Sequence, residues 1–244
     1  MVPKTVLTID IGLRNLAMCI MERTDSKNLE TFSIRMWDTF NILDGDDHKC
    51  GSFLKNGREC NRKCSMKYKS HDTNTLTYTC KTHFPKQITR DKSHVFKIKS
   101  IDNYLLQDIA AVFLEKMNLL YIEKKELFET VNLVQLELQP IQNRKMVFTS
   151  HILYGKLVEL YSDTPIRFVR ASTKLKAYTG PEIECHLKGA YAKRKFLSIE
   201  YTKWILKNQF CDNQSNEWLP VLESHKKKCD LADTFCYAVN ALKN

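Results

Sequence analysis

Four carboxylates stand where a lone negative charge is out of place. Asp10 closes the aliphatic and β-branched run Thr5-Val6-Leu7-Thr8-Ile9-Asp10-Ile11, and Glu137 lies between Leu136 and Leu138 in a second apolar run. Asp230 and Asp233 flank Leu231 and Ala232 at i, i+3 spacing, which puts both on one face of a helix. A charge in apolar surroundings is costly. Like charges brought together raise one another's pKa and destabilise the fold unless cations neutralise them. Clustered carboxylate oxygens suit Mg²⁺ or Mn²⁺, and two such ions ~4 Å apart activate a water and stabilise the leaving oxygen of a phosphodiester. Singly, a strand-end Asp is often a turn former and an i, i+3 Asp pair is usually solvated. The joint pattern is what carries the signal.

A second set is Cys50-x9-Cys60-x3-Cys64-x15-Cys80-x2-His83. Cys-x-x-His is a compact chelating step, and Gly57 permits a turn before Cys60. Thiolate and imidazole ligands select Zn²⁺, four-coordinate when structural. The preferred ligands are Cys50, Cys60, Cys80 and His83, with Cys64 as a spare or a substitute for Cys60. Four ligands leave no open position, which disfavours catalytic zinc; the bland alternative is a loop with free thiols. Nine cysteines is an odd number, and the N-terminus carries no secretory pattern, so metal is favoured over disulfides. Cys19, Cys185, Cys211 and Cys236 lack chelating spacing and are expected to pack as small hydrophobes.

These groups need a scaffold. The chain has 244 residues, 43% hydrophobic and 27% charged, which excludes a wholly disordered protein and suffices for one α/β domain with an appendage. Residues 5–11, 17–21 and 32–37 read as an opening antiparallel meander. Apolar spacing predicts a helix over 100–121, and a strand follows over 131–138, stopped by Gln139-Pro140. A helix is expected over 145–161, a strand over 166–169, a basic helix over 191–206 and a last helix over 229–242. That order is the mark of an α/β mixed sheet flanked by helices. Residues 45–92 are polar, poor in Leu, Ile and Val, and hold the Cys/His set. They read as an insertion that cannot fold by burial alone, which leaves 1–44 and 93–244 as the core.

The formal net charge of +10 favours a polyanionic partner. The most apolar stretch, 104–122, is broken by Asp108, Glu115 and Lys116, so no membrane partner is expected. Lys193-Arg194-Lys195 reads as a solvated face, whereas Lys226-Lys227-Lys228 directly precedes Asp230 and could hold phosphates there. Tyr178, Tyr191 and Tyr201 could stack on unpaired bases but are more ordinarily packing residues. Lys49, Lys55, Arg58, Arg62, Lys63, Lys67, Lys69 and Lys81 make the insertion basic, either a DNA-contacting arm or a dimer contact.

The run Leu7-Thr8-Ile9-Asp10-Ile11-Gly12 followed by Arg14-Asn15-Leu16-Ala17 resembles the opening of RuvC-like Holliday junction resolvases of the ribonuclease H superfamily. So do Leu136-Glu137-Leu138-Gln139 with Pro140 and Arg144, and the ending Lys228-Cys229-Asp230-Leu231-Ala232-Asp233. The match is closest to the poxvirus-type branch of large cytoplasmic DNA viruses and covers most of the chain outside the Cys-rich insertion, which is its main departure. The resemblance implies a ribonuclease H-like fold and a homodimer that nicks opposed strands of a four-way junction. It further implies a metal-dependent DNA endonuclease of viral recombination or replication, working in the host cytoplasm. Asp10 would bridge the catalytic metals, with Glu137, Asp230 and Asp233 completing their shells. The family's supporting lysine falls at Lys174 or Lys176. The alternatives are cleavage of RNA–DNA hybrids or another branched DNA, a transposon-type nuclease of the same superfamily, and a non-enzymatic zinc-bearing nucleic-acid-binding protein on a nuclease scaffold.

Overall fold

Strand β1 (Thr5–Ile11) is the middle of the molecule's main sheet and is apolar on both faces. It pairs antiparallel with β2 (Asn15–Arg23), which pairs antiparallel with β3 (Phe32–Asn41). The computed structural model describes residues 4–23, 29–42, 48–70, 75–96 and 103–243. Parts of two sequence expectations fall outside those residues: 45–47 and 71–74 of the insertion, and the helix start at 100–102. Within them, the first long helix, α1, runs Leu106–Glu123 and is followed by the single turn α2 (Lys125–Phe128).

Strand β6 (Leu133–Glu137) returns parallel to β1, and β7 (Ile166–Val169) parallel to β6. The intervening β4 (Met66–Lys69) and β5 (Leu76–Thr79) form a separate two-stranded hairpin. The main sheet therefore runs β3-β2-β1-β6-β7. The connection from β6 to β7 is α3 (Arg144–Leu160), opened by Asn143, whose side chain accepts from the Met146 N–H. After β7 come a 3₁₀ turn (Thr173–Ala177), α4 (Ala190–Gln209), α5 (Asp212–Ser224) and α6 (Lys228–Lys243).

Period-two alternation divides the sheet into two faces. Leu7, Ile9, Val134 and Leu136 meet Phe113 and Met117 of α1 and Leu153 and Leu157 of α3. Val6 and Leu133 on the opposite face meet Leu231, Phe235 and Val239 of α6, with Ile205 of α4 behind them. Each of these large side chains, fully buried, contributes ~1.5–3 kcal/mol. Two polar bonds fix α6 against the sheet: Thr8 Oγ1 donates to Thr234 O at 2.7 Å, and Trp37 Nε1 donates to Leu231 O at 2.9 Å. This is the mixed sheet flanked by helices that the order of elements in the sequence predicts.

The chain divides into two compact units, Met1–Ile42 with Leu105–Asn244, and Leu43–Tyr104. The second unit has little aliphatic core. Its buried centre is Cys50, Cys60, Cys64 and Cys80, packed by Leu54, Tyr78 and Phe96. Residues 48–64 fold back on themselves as an irregular two-stranded ribbon: Cys50 N donates to Arg62 O, Cys60 N to Ser52 O and Leu54 N to Arg58 O, at 2.7–2.8 Å. Gly57 takes φ 76° at the tip, the left-handed conformation expected of a turn before Cys60. His48 stacks on Tyr78 with ring centroids 3.7 Å apart.

Candidate active site

Strand parity brings the acids together. In β1, Val6, Thr8 and Asp10 share the α6 face; in β6, Leu133, Gln135 and Glu137 do. The register pairs Ile9 with Leu136, so Asp10 and Glu137 stand one step further on, side by side at the strand ends. Asp233, on the first turns of α6, comes down onto them. Ligand oxygens of Asp10, Glu137 and Asp233 all lie within 4.8 Å of one another. At that distance and an effective dielectric of about 20, each like-charged pair repels by roughly 3 kcal/mol.

The surroundings only partly relieve that repulsion. Lys174, buried in the 3₁₀ turn after β7, donates from Nζ to Asp233 Oδ2 and stands 3.7 Å from Glu137 Oε2. Tyr237 OH donates to Glu137 Oε2 at 2.7 Å. Burial, then the charges of Glu137, Asp233 and Asp230, push the Asp10 carboxyl well above the usual range. Burial also raises Asp233 despite the opposing Lys174 charge. Lys174 is held protonated by Asp233 and Glu137, which outweigh the larger single effect of its burial. Asp233 Oδ1 is buried without a hydrogen-bond partner among the described residues. Three carboxylates, one of them with a buried oxygen that accepts no hydrogen bond among the described residues, are an oxygen donor set that fits a hard divalent cation.

The group opens into a cleft of about 410 Å³ whose walls include Gly12, Asn15, Gln139, Asn143, Arg194, Lys195 and Lys227. Asp230 lines this cleft but stands outside the three-carboxylate group. Its Oδ1 accepts from Cys229 Sγ at 3.0 Å and lies 3.9 Å from Lys195 Nζ. Of the two candidate lysines, Lys174 is in the site and Lys176 is exposed outside it. Arg194 and Lys195, read from sequence as a solvated face, instead face the cleft, as Lys227 does. Helical phase explains the difference: they lie one turn along α4 from Tyr191, itself on the cleft wall. Tyr178 and Tyr201 stack on each other, centroids 3.9 Å apart. Cys19 and Cys236 are buried as expected, whereas Cys211 is exposed because it immediately precedes the surface helix α5. Tyr237 had not been singled out. It lies i+4 from Asp233, the one sequence signal that could have marked it.

In the second unit, one ligand atom each from Cys50, Cys60, Cys80 and His83 come within 4.8 Å of one another. His83 Nδ1 is 3.5 Å from both Cys50 Sγ and Cys80 Sγ, and the Cys60 and Cys80 sulfurs are 3.8 Å apart. Around a tetrahedral zinc, bonds of ~2.3 Å to sulfur and ~2.0 Å to nitrogen imply edges of ~3.8 Å for S···S and ~3.5 Å for S···N. The spacing fits zinc and is far too long for disulfides. Burial acts to raise the Cys50 thiol, but hydrogen bonds involving Cys80, Ser52 and His83 outweigh it and bring it down to about 6. Cys64 is buried beside the four but outside the ligand group, and burial with its neighbouring sulfurs pushes it up to about 11.

No protein-family model matches the chain. An uncharacterized protein of Acanthamoeba polyphaga mimivirus is 25% identical over 213 residues, covering 80% of this chain. The chain spans about half that relative's length, 49%. Among solved structures, the chain is similar to fowlpox virus resolvase in complex with substrate Holliday junction DNA, with TM-score 0.44, 12% identity, and 98% and 96% of the two chains covered. It is also similar to Thermus thermophilus RuvC, with TM-score 0.45, 8% identity, and 97% and 92% covered. Identities this low leave the chemistry to be read from this chain's own residues.

Proposed function

We propose that the chain is a divalent-metal-dependent DNA endonuclease that resolves four-way junctions, with a structural zinc centre in its second unit. One observation carries the reading: Asp10, Glu137 and Asp233, from two strands and a helix, converge within 4.8 Å at the floor of a cleft whose walls carry Arg194, Lys195 and Lys227. A binding module gains nothing from three anions where a phosphate must lie. A phosphodiester hydrolase needs both the anions and the cations. The four-way junction, among DNA substrates, follows from the resemblance of the Asp10, Glu137 and Asp230-x-x-Asp233 motifs, as does a homodimer with one active site per nicked strand. The viral recombination role and the host cytoplasm belong to the same reading.

When bound, Mg²⁺ or Mn²⁺ supplies an activated water and stabilises the leaving oxygen. Asp10, Glu137 and Asp233 would hold the cation, with Asp230 a further ligand once freed from Cys229 and Lys195. Tyr237 holds Glu137 by Oε2, so that Oε1 would be available to the cation. Lys174 fixes Asp233 Oδ2 and leaves the orphaned Oδ1 as the donor. Arg194, Lys195 and Lys227 would take the phosphates flanking the scissile bond. Cys50, Cys60, Cys80 and His83 would hold zinc, the closed ligand set giving it no chemistry of its own.

The test is incubation with a synthetic four-way junction, a matched linear duplex and a matched RNA–DNA hybrid in Mg²⁺. Symmetrical nicks in the junction alone are expected, with Asp10→Asn abolishing cleavage while junction binding survives. Turnover by the Asp10→Asn protein, or cutting of the hybrid in preference to the junction, would refute the assignment.

A further inference from the structure

The ribbon 48–64 has two distinct faces. Cys50, Cys60 and Cys64 point inward and are buried, while Lys49, Phe53, Lys55, Arg58 and Lys63 are exposed. Phe53 is 67% exposed, although it sits in a paired segment directly opposite Glu59. Lys49 and Lys63 face each other across the same ribbon. Residues 48–70 hold seven Lys or Arg and only one acid, Glu59. An exposed phenylalanine in a segment this rich in cations is poorly suited to water, and its ring and the segment's charges call for different parts of a single partner.

We propose that this ribbon is a second DNA-contacting element, laid in a groove of duplex DNA, with Phe53 against the bases and Lys49, Lys55, Arg58 and Lys63 on the phosphates. A two-stranded ribbon fits the major groove of B-form DNA, where phenylalanine makes apolar contact with thymine methyls and a carboxylate such as Glu59 accepts from cytosine N4. The backbone bonds that close the ribbon, Cys60 N to Ser52 O and Leu54 N to Arg58 O, hold its tip rigid, so its ordering is complete before binding. The inference rests on the proposed DNA substrate class and adds a contact outside the carboxylate cleft.

The test uses the full chain and a labelled linear duplex in Ca²⁺, across a salt series. The double variant Lys55→Ser/Arg58→Ser should weaken binding and reduce the slope of log K against log salt by about 2. Phe53→Ala should weaken binding roughly tenfold, the loss expected when an aromatic side chain is no longer buried, with the slope unchanged. The equal charge change Lys124→Ser/Lys125→Ser, at the junction of α1 and α2, should leave both nearly as they were. Zinc content, measured on each variant, should stay at the wild-type level, because none of the substituted side chains belongs to the Cys50, Cys60, Cys80 and His83 group. Wild-type binding by the ribbon variants, or an equal loss in the α1/α2 control, overturns the ribbon proposal. If the wild type still nicks a junction in Mg²⁺, the nuclease reading survives that failure; if the wild type neither binds nor cuts DNA, both fall.

Discussion

Asp10 is the residue on which the electrostatics of the cleft concentrate. Its carboxyl, raised by burial and by Glu137, Asp233 and Asp230, binds a proton in the folded chain at pH values where the unfolded chain has lost it. Between the ordinary carboxylate value of ~4 and the raised one, the folded state holds more protons, so stability falls as pH rises through that window. Asp10→Asn removes this liability. In protein dialysed free of magnesium, the variant should melt a few degrees above wild type at neutral pH, since ~1 kcal/mol moves a domain of this size by about 2–4 °C. The gain should vanish as pH approaches 4, and added Mg²⁺ should stabilise wild type but not the variant. A gain independent of pH would show that the acids do not repel one another. Tyr237 acts on the same group from the other side. Its phenol fixes Glu137 Oε2 at 2.7 Å, and partners of this kind change metal affinity about 10–100-fold. Tyr237→Phe should therefore raise the Mg²⁺ concentration needed for half-maximal cleavage roughly tenfold while leaving the saturating rate nearly intact. An unchanged magnesium titration would make the phenol a packing residue only.

The elements that position these residues were legible to different degrees, for physical reasons. Strand β1 reads as an unbroken apolar pattern up to Asp10, and it and helices α3, α4 and α6 all lie within a few residues of where the sequence puts them. Asp10 and Glu137 could be singled out because each interrupts such a pattern. Lys174 and Lys176 could not be separated, because the turn between them is 3₁₀ with three residues per turn. That period puts Lys174 and Ala177 on the buried side and leaves Lys176 outside, and a five-residue segment shows no periodicity to read. Asp230 and Asp233 share a helix face as their spacing requires. Only the packing of α4 reveals that Lys195 and Cys229 draw Asp230 aside. The short turn from β1 into β2 is equally constrained. A Cβ on Gly12 would lie 2.4 Å from Asn15 O, a backbone atom that cannot move without disturbing the strand carrying Asp10. Gly12→Ala should lower the urea midpoint by the equivalent of about 1–3 kcal/mol and depress cleavage more than junction binding. A midpoint within error of wild type would mean that the turn relaxes freely.

At the scale of the whole molecule, two ways of holding a fold coexist in one chain. The sheet unit is bound by apolar side chains packed on both faces of the sheet, a core that needs no metal for its packing. The unit from Leu43 to Tyr104 has a buried centre of four cysteines and a handful of aromatic contacts. Little apolar surface stands there against an ordering cost of ~1–2 kcal/mol per residue. Zinc bound by Cys50, Cys60, Cys80 and His83 would make up that deficit, since binding free energy at such a site is folding free energy. Chelation followed by excess Mg²⁺ should thus expose residues 48–96 to limited proteolysis while fragments containing 105–243 remain protected. Cys80→Ser should reproduce this without chelator and lose its zinc. Cys64→Ser should keep one zinc per chain and the wild-type cleavage pattern, because Cys64 packs beside the ligand group without joining it. Equal protection of residues 48–96 with and without metal would mean that the cysteine centre holds by packing alone.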